Sequence, residues 1–195
     1  MNEKELRGAI RRQKIQARNS LTAEGREKKS QEILERLVAS PEFSEAGTIL
    51  IYRATKGEVN IDKVSDIGKT LCKRMAFPLV ISKEEMIALV PEDETAWTDG
   101  YFGIKEPIRE RSEEIPPKEL DLIVCPCTSF DESGGRMGMG AGFYDRYIQR
   151  AVNAKVVAVA FECQKADSVI MQAWDQPMDA VFTEKTVYRP SLEDK

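Results

Sequence analysis

The chain has 195 residues, which is enough for one α/β domain of ordinary size. Its 29 basic and 33 acidic side chains give a net charge of −4, and this mildly acidic balance predicts neither a nucleic-acid partner nor binding to an anionic membrane. The absence of histidine excludes Ser-His-Asp and Cys-His catalysis and histidine-ligated zinc, so proton transfer must use carboxylates, other titratable side chains or the substrate itself.

The first half of the chain predicts helices followed by short strands. Two polar helices fill roughly the first forty residues and are divided near 19–22, and the apolar stripe of the second helix stops at Ser40 and Pro41. Runs of apolar and β-branched residues, and the prolines between them, predict the next helices, strands and loops along the chain. These are a strand at 48–52, a helix at 61–71, strands at 75–77 and 86–90, and a loop at 91–117.

The second half predicts a βαβ unit. Its elements are a strand at 122–125, a glycine-dense loop, a helix at about 141–152, and strands at 156–161 and 179–183. Continuously apolar strands separated by helices are typical of a parallel sheet that is covered on both faces. We therefore expect a single α/β domain over residues 1–195, with an open, mostly parallel sheet and helices on both faces.

The cysteines and the N-terminus predict a reducing compartment. Neither a CxxC pair nor the spacing of a disulfide scaffold occurs among Cys72, Cys125, Cys127 and Cys163. We expect small buried thiols rather than metal or redox ligands. The first residues are charged, and no uninterrupted apolar run reaches about 18 residues, so the sequence predicts a cytoplasmic protein without membrane contact.

The glycine-dense loop carries the strongest chemical signal. Five of the 12 glycines fall within nine consecutive residues, namely Gly134, Gly135, Gly138, Gly140 and Gly142. Between a strand and a helix, such a loop turns backbone N–H groups toward an anion and lets phosphate oxygens approach without interference from a Cβ atom. The loop therefore predicts a phosphate site, with a tight turn that binds no ligand as the alternative.

Spacing narrows the choice of phosphate ligand. A Walker A loop would need Gly-Lys-Ser/Thr after four spacer residues, and the chain has none. Gly138 and Gly140 could begin a dinucleotide fingerprint, but Phe143 stands where glycine or alanine is needed. Glu162, about 20 residues farther on, lies where a ribose-binding carboxylate is expected. A nucleotide-cofactor oxidoreductase therefore stays open.

Residues 130–146, FDESGGRMGMGAGFYDR, resemble the signature of a known family. The segment is similar to that of 5-formyltetrahydrofolate cyclo-ligases, also called 5,10-methenyltetrahydrofolate synthetases. Weaker similarities follow the order of the family along nearly the whole chain, at 6–7, 58–59, 102–107 and 179–184.

The resemblance implies ATP-dependent closure of 5-formyltetrahydrofolate to 5,10-methenyltetrahydrofolate, with Mg²⁺ and with release of ADP and phosphate. The formyl oxygen attacks the γ-phosphoryl group, N10 of the folate closes on the activated carbon, and phosphate leaves. Because the nucleophiles belong to the folate, backbone amides, cations and a metal ion can perform this chemistry without histidine.

The resemblance also implies an ATP site. Its residues are Lys4, Arg7, Arg136, Gly138, Gly140 and Gly142. By helical spacing alone, Lys4, Arg7 and Arg11 would form one solvated face of the first helix. Arg136 could clamp phosphate oxygens through its planar guanidinium or be an ordinary surface charge.

Carboxylates supply the implied metal site. Asp145 lies in the first turn of the helix after the glycine loop, where it could complement the helix dipole or bind Mg²⁺. The resemblance makes Arg136 and Asp145 catalytic and pairs Asp145 with Asp179 as metal ligands. Two carboxylates are sufficient because Mg²⁺ usually keeps several waters.

Six residues are implied to contact the folate. They are Arg53, Glu58, Trp97, Phe102, Phe143 and Tyr144. Glu58 would accept hydrogen bonds from the pterin N–H groups, and Trp97 and Phe102 would lie along the aminobenzoyl part. Phe143 and Tyr144 could instead be core aromatics. A noncatalytic folate- or nucleotide-binding protein is a further alternative, and the sequence does not indicate an oligomeric state.

Overall fold

A computed structural model describes residues 2–55, 57–100 and 103–190. The helices are α1 (Glu3–Asn19), α2 (Ala23–Val38), α3 (Pro41–Glu45), α4 (Asp62–Thr70) and α5 (Phe143–Ile148). The strands are β1 (Thr48–Leu50), β2 (Arg74–Val80), β3 (Met86–Pro91), β4 (Trp97–Asp99), β5 (Lys105–Pro107), β6 (Ser112–Ile115), β7 (Leu122–Pro126), β8 (Ser129–Phe130), β9 (Arg136–Met137), β10 (Lys155–Val159), β11 (Ala180–Phe182) and β12 (Val187–Tyr188).

Side-chain caps begin the first three helices. Asn2, Thr22 and Ser40 each accept a hydrogen bond from a backbone N–H group in the first turn that follows. Such caps satisfy donors that the helix itself leaves free. The predicted division between the two N-terminal helices is confirmed, because α1 ends at Asn19 and α2 begins after Thr22.

Eight strands form one sheet in the order β12-β11-β10-β7-β1-β2-β3-β6. Parallel pairing joins β11, β10, β7, β1 and β2, while β12 adds antiparallel at one side and β3 and β6 at the other. The predicted open, mostly parallel α/β fold is confirmed. We call the two ends of the five parallel strands the amino end and the carboxyl end of the sheet.

Alternate side chains of the strands enter two apolar layers. Ile49 of β1 packs in the layer that holds Leu37 of α2 and Val64 of α4. Leu50 of β1 points to the opposite layer, which includes Ile148 of α5. Helices thus cover both faces as predicted, with α2, α3 and α4 on one face and α5 on the other.

Helix α1 crosses the carboxyl end of the sheet. It packs against β8 and against the short 3₁₀ turn at Glu162–Gln164. Its Lys14 ammonium donates to the Lys165 carbonyl, and its Arg11 Nε donates to the Gly138 carbonyl at 2.8 Å. Arg11 and Lys14 of α1 consequently face the loops at the carboxyl ends of the strands.

Two stretches differ from the prediction. The helix expected at 141–152 is shorter, because the turn after Ile148 uses hydrogen bonds between residues three apart and Gly142 before it is left-handed. The expected loop at 91–117 contains β4, β5 and β6. Strand β6 reads Ser-Glu-Glu-Ile, which lacks clear alternation, and it is held by pairing to β3. Among the described residues, no helix combines the length and apolarity that a membrane crossing requires.

Candidate active site

A cavity of about 570 Å³ opens at the carboxyl end of the sheet. The ends of β1, β2 and β7 form its floor, α1 lies along one side, and the segment between β9 and α5 lies along another. Ligands of parallel α/β sheets bind at this end, where loops bring side chains from several strands together.

The glycine-dense segment divides into two parts with different roles. Gly134 and Gly135 belong to the turn that joins β8 to β9, where the Asp131 carboxylate accepts hydrogen bonds from the Ser133 and Gly135 N–H groups. Gly134 has φ +83°, and a Cβ atom there would lie 2.7 Å from the Met178 carbonyl oxygen. This first part stabilises a hairpin and does not line the cavity.

The second part of the segment lines the cavity through Gly138, Gly140 and Gly142. Gly140 and Gly142 have φ values of +107° and +72°, a backbone conformation that residues with a Cβ atom rarely adopt. Arg11 lies over this backbone, because its guanidinium carbon is 3.7 Å from the position of a Cβ atom on Gly140. The sequence therefore places an exposed backbone beside a cation, as a phosphate site requires.

Arg136 is almost completely buried, with 3% of its surface exposed. Its Nη2 donates to Asp145 Oδ1 at 2.9 Å, and its Nη1 donates to the Pro126 carbonyl at 3.3 Å. Its Nε has no hydrogen-bond partner among the described residues. Arg136 thus joins the end of β7 to the start of α5, and its main visible partner is the carboxylate of Asp145 rather than open solvent.

Two aspartates line the cavity, Asp145 and Asp175. Asp145 Oδ1 accepts from Arg136 and, at 3.3 Å, from the Gln176 N–H. Asp175 Oδ2 accepts from Arg7 Nη1 at 2.5 Å. The other oxygen of each carboxylate accepts no hydrogen bond from any described residue. Two free carboxylate oxygens in one cavity are hard donors of the kind that Mg²⁺ prefers.

Asp179 lies at the amino end of the sheet, so its predicted pairing with Asp145 is corrected. Its Oδ2 accepts from the Val156 N–H at 2.8 Å, and its own N–H donates to the Val156 carbonyl. Val156 is paired with Ile123, three residues before Pro126 at the cavity. At about 3.3 Å per residue, the strands place roughly 10 Å between these two levels.

Cations of α1 line the cavity. Lys4 and Arg7 both line it, and the structure adds Arg11. Arg7 is held by Asp175 and by the Ile170 carbonyl. Partial burial, together with the neighbouring Arg7 charge, lowers the pKa of the Arg11 guanidinium. Burial and a neighbouring positive charge both disfavour the charged form of Arg11, so an anion that binds beside the guanidinium stabilises it.

A second wall, formed from β2 and the residues after β1, contains Arg53 and Phe77. The Arg53 guanidinium carbon lies 4.8 Å from the ring centre of Phe77 and 4.5 Å from that of Trp97. Trp97 does not line the cavity but packs edge-on against Phe77, which corrects the prediction that its ring is a wall. Of these two rings, the one that lines the cavity is Phe77, which lies within β2. Phe102 lies outside the described residues.

Glu58 and Tyr144 face the same region of the cavity. Glu58 Oε2 accepts from the Thr55 N–H at 2.9 Å, which turns the carboxylate back over the end of β1. The Tyr144 hydroxyl oxygen is buried and has no hydrogen-bond partner in the part of the chain that the structure describes. Burial, with smaller contributions from Cys125 and Glu58, raises the pKa of Tyr144 well above its usual value. Its hydroxyl therefore remains a protonated donor. Phe143 also lines the cavity.

Cys127 is a thiol in the cavity wall. Its Sγ donates to the Ser129 carbonyl at 3.2 Å, and burial raises its pKa to about 12. A thiol that stays protonated at neutral pH is a poor nucleophile and metal ligand. Cys125 is buried as expected, whereas Cys163 is half-buried and Cys72 is exposed.

Glu162, the carboxylate expected to bind ribose in an oxidoreductase, is engaged elsewhere. Its Oε2 accepts from Thr183 Oγ1 at 2.9 Å, and its Oε1 accepts from the Tyr188 hydroxyl at 2.7 Å. It does not line the cavity. This arrangement argues against the dinucleotide interpretation.

Fold and site together define an α/β protein whose cleft suits a phosphorylated small molecule beside a second, partly aromatic ligand. The model of the 5-formyltetrahydrofolate cyclo-ligase family matches residues 3–184, and the chain belongs to this family. The predicted family and enzyme class, a ligase of folate one-carbon metabolism, are thereby confirmed.

Curated relatives and solved structures of this family are similar to the chain. The chain is 28% identical to 5-formyltetrahydrofolate cyclo-ligase of Escherichia coli, over 89% of this chain and 97% of the relative. It is 29% identical to that of Mus musculus, over 90% and 92%. The structure of 5,10-methenyltetrahydrofolate synthetase from Aquifex aeolicus gives a TM-score of 0.81 at 31% identity, covering 94% of this chain and 92% of that chain. That from Mycoplasma pneumoniae gives 0.75 at 25%, covering 91% and 98%.

Proposed function

We propose that this chain closes 5-formyltetrahydrofolate to 5,10-methenyltetrahydrofolate with ATP and Mg²⁺, releasing ADP and phosphate. The observation that carries the proposal is one cavity with two chemically different walls. One wall combines a bare glycine backbone with cations and carboxylates, and the other combines Glu58, Arg53 and aromatic rings. The first suits a polyphosphate and the second a heterocycle with N–H donors.

The triphosphate binds along the glycine wall. Backbone groups of Gly138, Gly140 and Gly142 approach its oxygens, while Lys4 and Arg7 supply charge from α1. Arg11, which already touches the Gly138 carbonyl, supports the same phosphates. Transfer of a phosphoryl group depends mainly on such positioning and on neutralisation of charge.

Asp145 and Asp175 would hold Mg²⁺ at this wall, each through the oxygen that accepts no described hydrogen bond. When bound, the ion neutralises charge on the phosphate oxygens. Arg136 keeps Asp145 in place from below, so we assign its catalytic contribution mainly to positioning that carboxylate. The ion pair with Arg7 likewise holds the Asp175 carboxylate in place.

The folate lies on the other wall. Glu58 accepts hydrogen bonds from the pterin N–H groups, and Phe143 and Tyr144 provide apolar surface next to it. Arg53 lies beside Phe77 and can face a carboxylate or carbonyl of the substrate. Trp97 supports Arg53 from behind.

The reaction then needs no protein nucleophile. The formyl oxygen forms a bond to the γ-phosphorus as the bond to ADP breaks. N10 attacks the formyl carbon, the C–O bond breaks, phosphate leaves and the N10 proton is lost. The chain binds both substrates in line, excludes water and offers the protonated Tyr144 hydroxyl as a donor. The expected cytoplasmic location and the lack of nucleic-acid or membrane partners stay predictions.

The test mixes purified protein with 5-formyltetrahydrofolate and MgATP and follows methenyl absorbance together with ADP. We expect equal amounts of both products and none without magnesium. Folded protein that forms no product would overturn the proposal, and folate binding without turnover would favour the noncatalytic alternative. Reductive turnover with a nicotinamide cofactor would favour the oxidoreductase.

A matched pair of variants tests the folate wall. Glu58→Gln should raise the KM for 5-formyltetrahydrofolate about tenfold, because an amide presents only one acceptor to the pterin, and should leave the KM for ATP unchanged. Glu110→Gln changes an exposed carboxylate away from the cavity and should alter neither constant. A rise in the KM for ATP alone would move Glu58 out of the folate site.

A further inference from the structure

Trp174 is an aromatic side chain that the reaction above leaves unused. It lines the cavity although 58% of its surface is exposed. No described side chain makes a ring contact or a cation contact with its indole. A single exposed apolar residue needs no explanation, but one at the mouth of a binding cavity suggests a ligand surface.

The backbone that carries this ring is held at several points. Gln149 and Gln176 donate from their Nε2 atoms to the Trp174 carbonyl, at 3.3 and 3.1 Å. The next residue, Asp175, is paired with Arg7. The ring therefore projects from a fixed segment of chain, next to the residue that pairs with Arg7 of α1.

Met139 supplies a second exposed apolar side chain in this cavity, with 65% of its surface accessible. It lies within the glycine segment, immediately after Gly138, whose carbonyl accepts from Arg11. Thr128 Oγ1 contacts its sulfur at 3.6 Å. The cavity thus presents two exposed apolar side chains, the flexible Met139 and the flat indole of Trp174, in addition to its charged groups.

We infer that Trp174 is the stacking platform for the purine base of ATP, with Met139 as an adjoining apolar contact. The inference rests on the proposed function and adds the base-binding residue. Glycine backbone and cations satisfy the triphosphate, but the base is flat, aromatic and weakly hydrated, and it requires an apolar face. Because stacking tolerates any base, this platform discriminates little between ATP and GTP.

Fluorescence tests the platform without turnover. The chain has two tryptophans, so Trp97→Phe leaves Trp174 as the single reporter. MgATP and MgGTP, each without folate, should quench its emission, and inorganic tripolyphosphate should not. Equal quenching by tripolyphosphate, or quenching by 5-formyltetrahydrofolate but not by nucleotide, would overturn the inference.

Kinetics give an independent test. Trp174→Ala should raise the KM for MgATP about tenfold with the KM for 5-formyltetrahydrofolate unchanged, while Trp174→Phe should stay within about threefold of wild type. Val152→Ala, at an exposed apolar position outside the cavity, is the matched control. An unchanged KM for MgATP, or an effect on folate alone, would overturn the inference. Nucleotide quenching in a protein without cyclo-ligase turnover would instead refute the proposed function and leave the platform standing.

Discussion

Aspartates lie at both ends of the parallel strands, but their hydrogen-bond and ion-pair partners differ between the two ends. At the amino end, Asp121 Oδ2 accepts from the Gly47 and Thr48 N–H groups at 2.9 and 2.8 Å, and Asp179 Oδ2 accepts from Val156 N–H. At the carboxyl end, Asp145 and Asp175 are paired with arginine side chains and line a cavity.

This contrast separates residues that hold the sheet together from residues that act on a ligand. An aspartate bound to backbone donors of the next strand completes the hydrogen bonding of the fold. An aspartate that uses one oxygen to bind arginine and turns to a cavity keeps a second oxygen for chemistry. The variants below test whether that division is correct.

The largest effect is expected at the carboxyl end, from Arg136→Met. This change leaves Asp145 in a mostly buried position without its cation, which should lower the free energy of unfolding by about 3 kcal/mol. It should also reduce kcat by roughly 100-fold or more, because Asp145 loses its fixed orientation. Urea unfolding and steady-state kinetics measure the two effects.

An exposed ion pair is the control for this variant. Arg109 and Glu114 contact at 3.1 Å with both side chains about half exposed, so Arg109→Met should cost less than about 1 kcal/mol. Arg136→Lys retains the charge and should recover stability in part. If Arg136→Met kept both stability and kcat, the Arg136–Asp145 pair would not organise the site.

Asp175→Asn is expected to lower kcat/KM for MgATP roughly 100-fold. Because the Arg7 and Asp175 side chains are only 11% and 5% exposed, it should also lower the free energy of unfolding, by about 2 kcal/mol. An amide keeps the shape of the side chain, but it weakens the pairing to Arg7 and removes the charge offered to a metal ion. Magnesium titration at saturating ATP should show a higher half-saturation concentration. Asp167→Asn, in an exposed position of the same segment, should behave like wild type. Normal magnesium dependence in Asp175→Asn would exclude it as a ligand.

Alkaline pH probes the thiols at the carboxyl end of β7. Burial raises the pKa of Cys125 and of Cys127 to about 12, above the value of 9.0 expected in the unfolded chain. Below pH 9 both states are protonated. Between pH 9 and 12 only the unfolded chain releases these protons, so stability should fall by about 1.4 kcal/mol per pH unit for each thiol.

Urea unfolding between pH 8 and pH 11 measures this slope. Cys127→Ala should make the decline shallower by one such increment, whereas Cys72→Ala, which removes an exposed thiol at the amino end, should leave the slope unchanged. Equal slopes in wild type and Cys127→Ala would show that the Cys127 thiol ionises normally in the folded protein.

The sequence predicts those parts of the molecule that depend on local pattern. The two polar helices and the buried strands follow from the periodicity of apolar residues. The density of glycines predicts the loop at 138–142, because glycine tolerates backbone conformations that other residues avoid. Strand β6 could not be predicted, because its register depends on pairing with β3, more than twenty residues earlier in the chain. Nor could the role of Trp97, which depends on Arg53 and Phe77.

The aspartates show the same limit at the site. Asp175 lies in an irregular segment with no periodic signal, and its partner Arg7 is 168 residues away in sequence. Asp179, by contrast, directly precedes β11, and a residue before a parallel strand lies at the amino end of the sheet. Its position relative to the strand therefore already indicates that it cannot reach a ligand at the carboxyl end.

The smallest effect is accordingly expected for Asp179→Asn. The amide oxygen can still accept from Val156 N–H, and weakening this hydrogen bond should cost about 1 kcal/mol of unfolding free energy. The values of kcat and of both KM constants should match wild type, because the side chain lies roughly 10 Å below the cavity floor. A folded Asp179→Asn protein with impaired magnesium dependence would contradict this assignment, and with it the division between the two ends of the sheet.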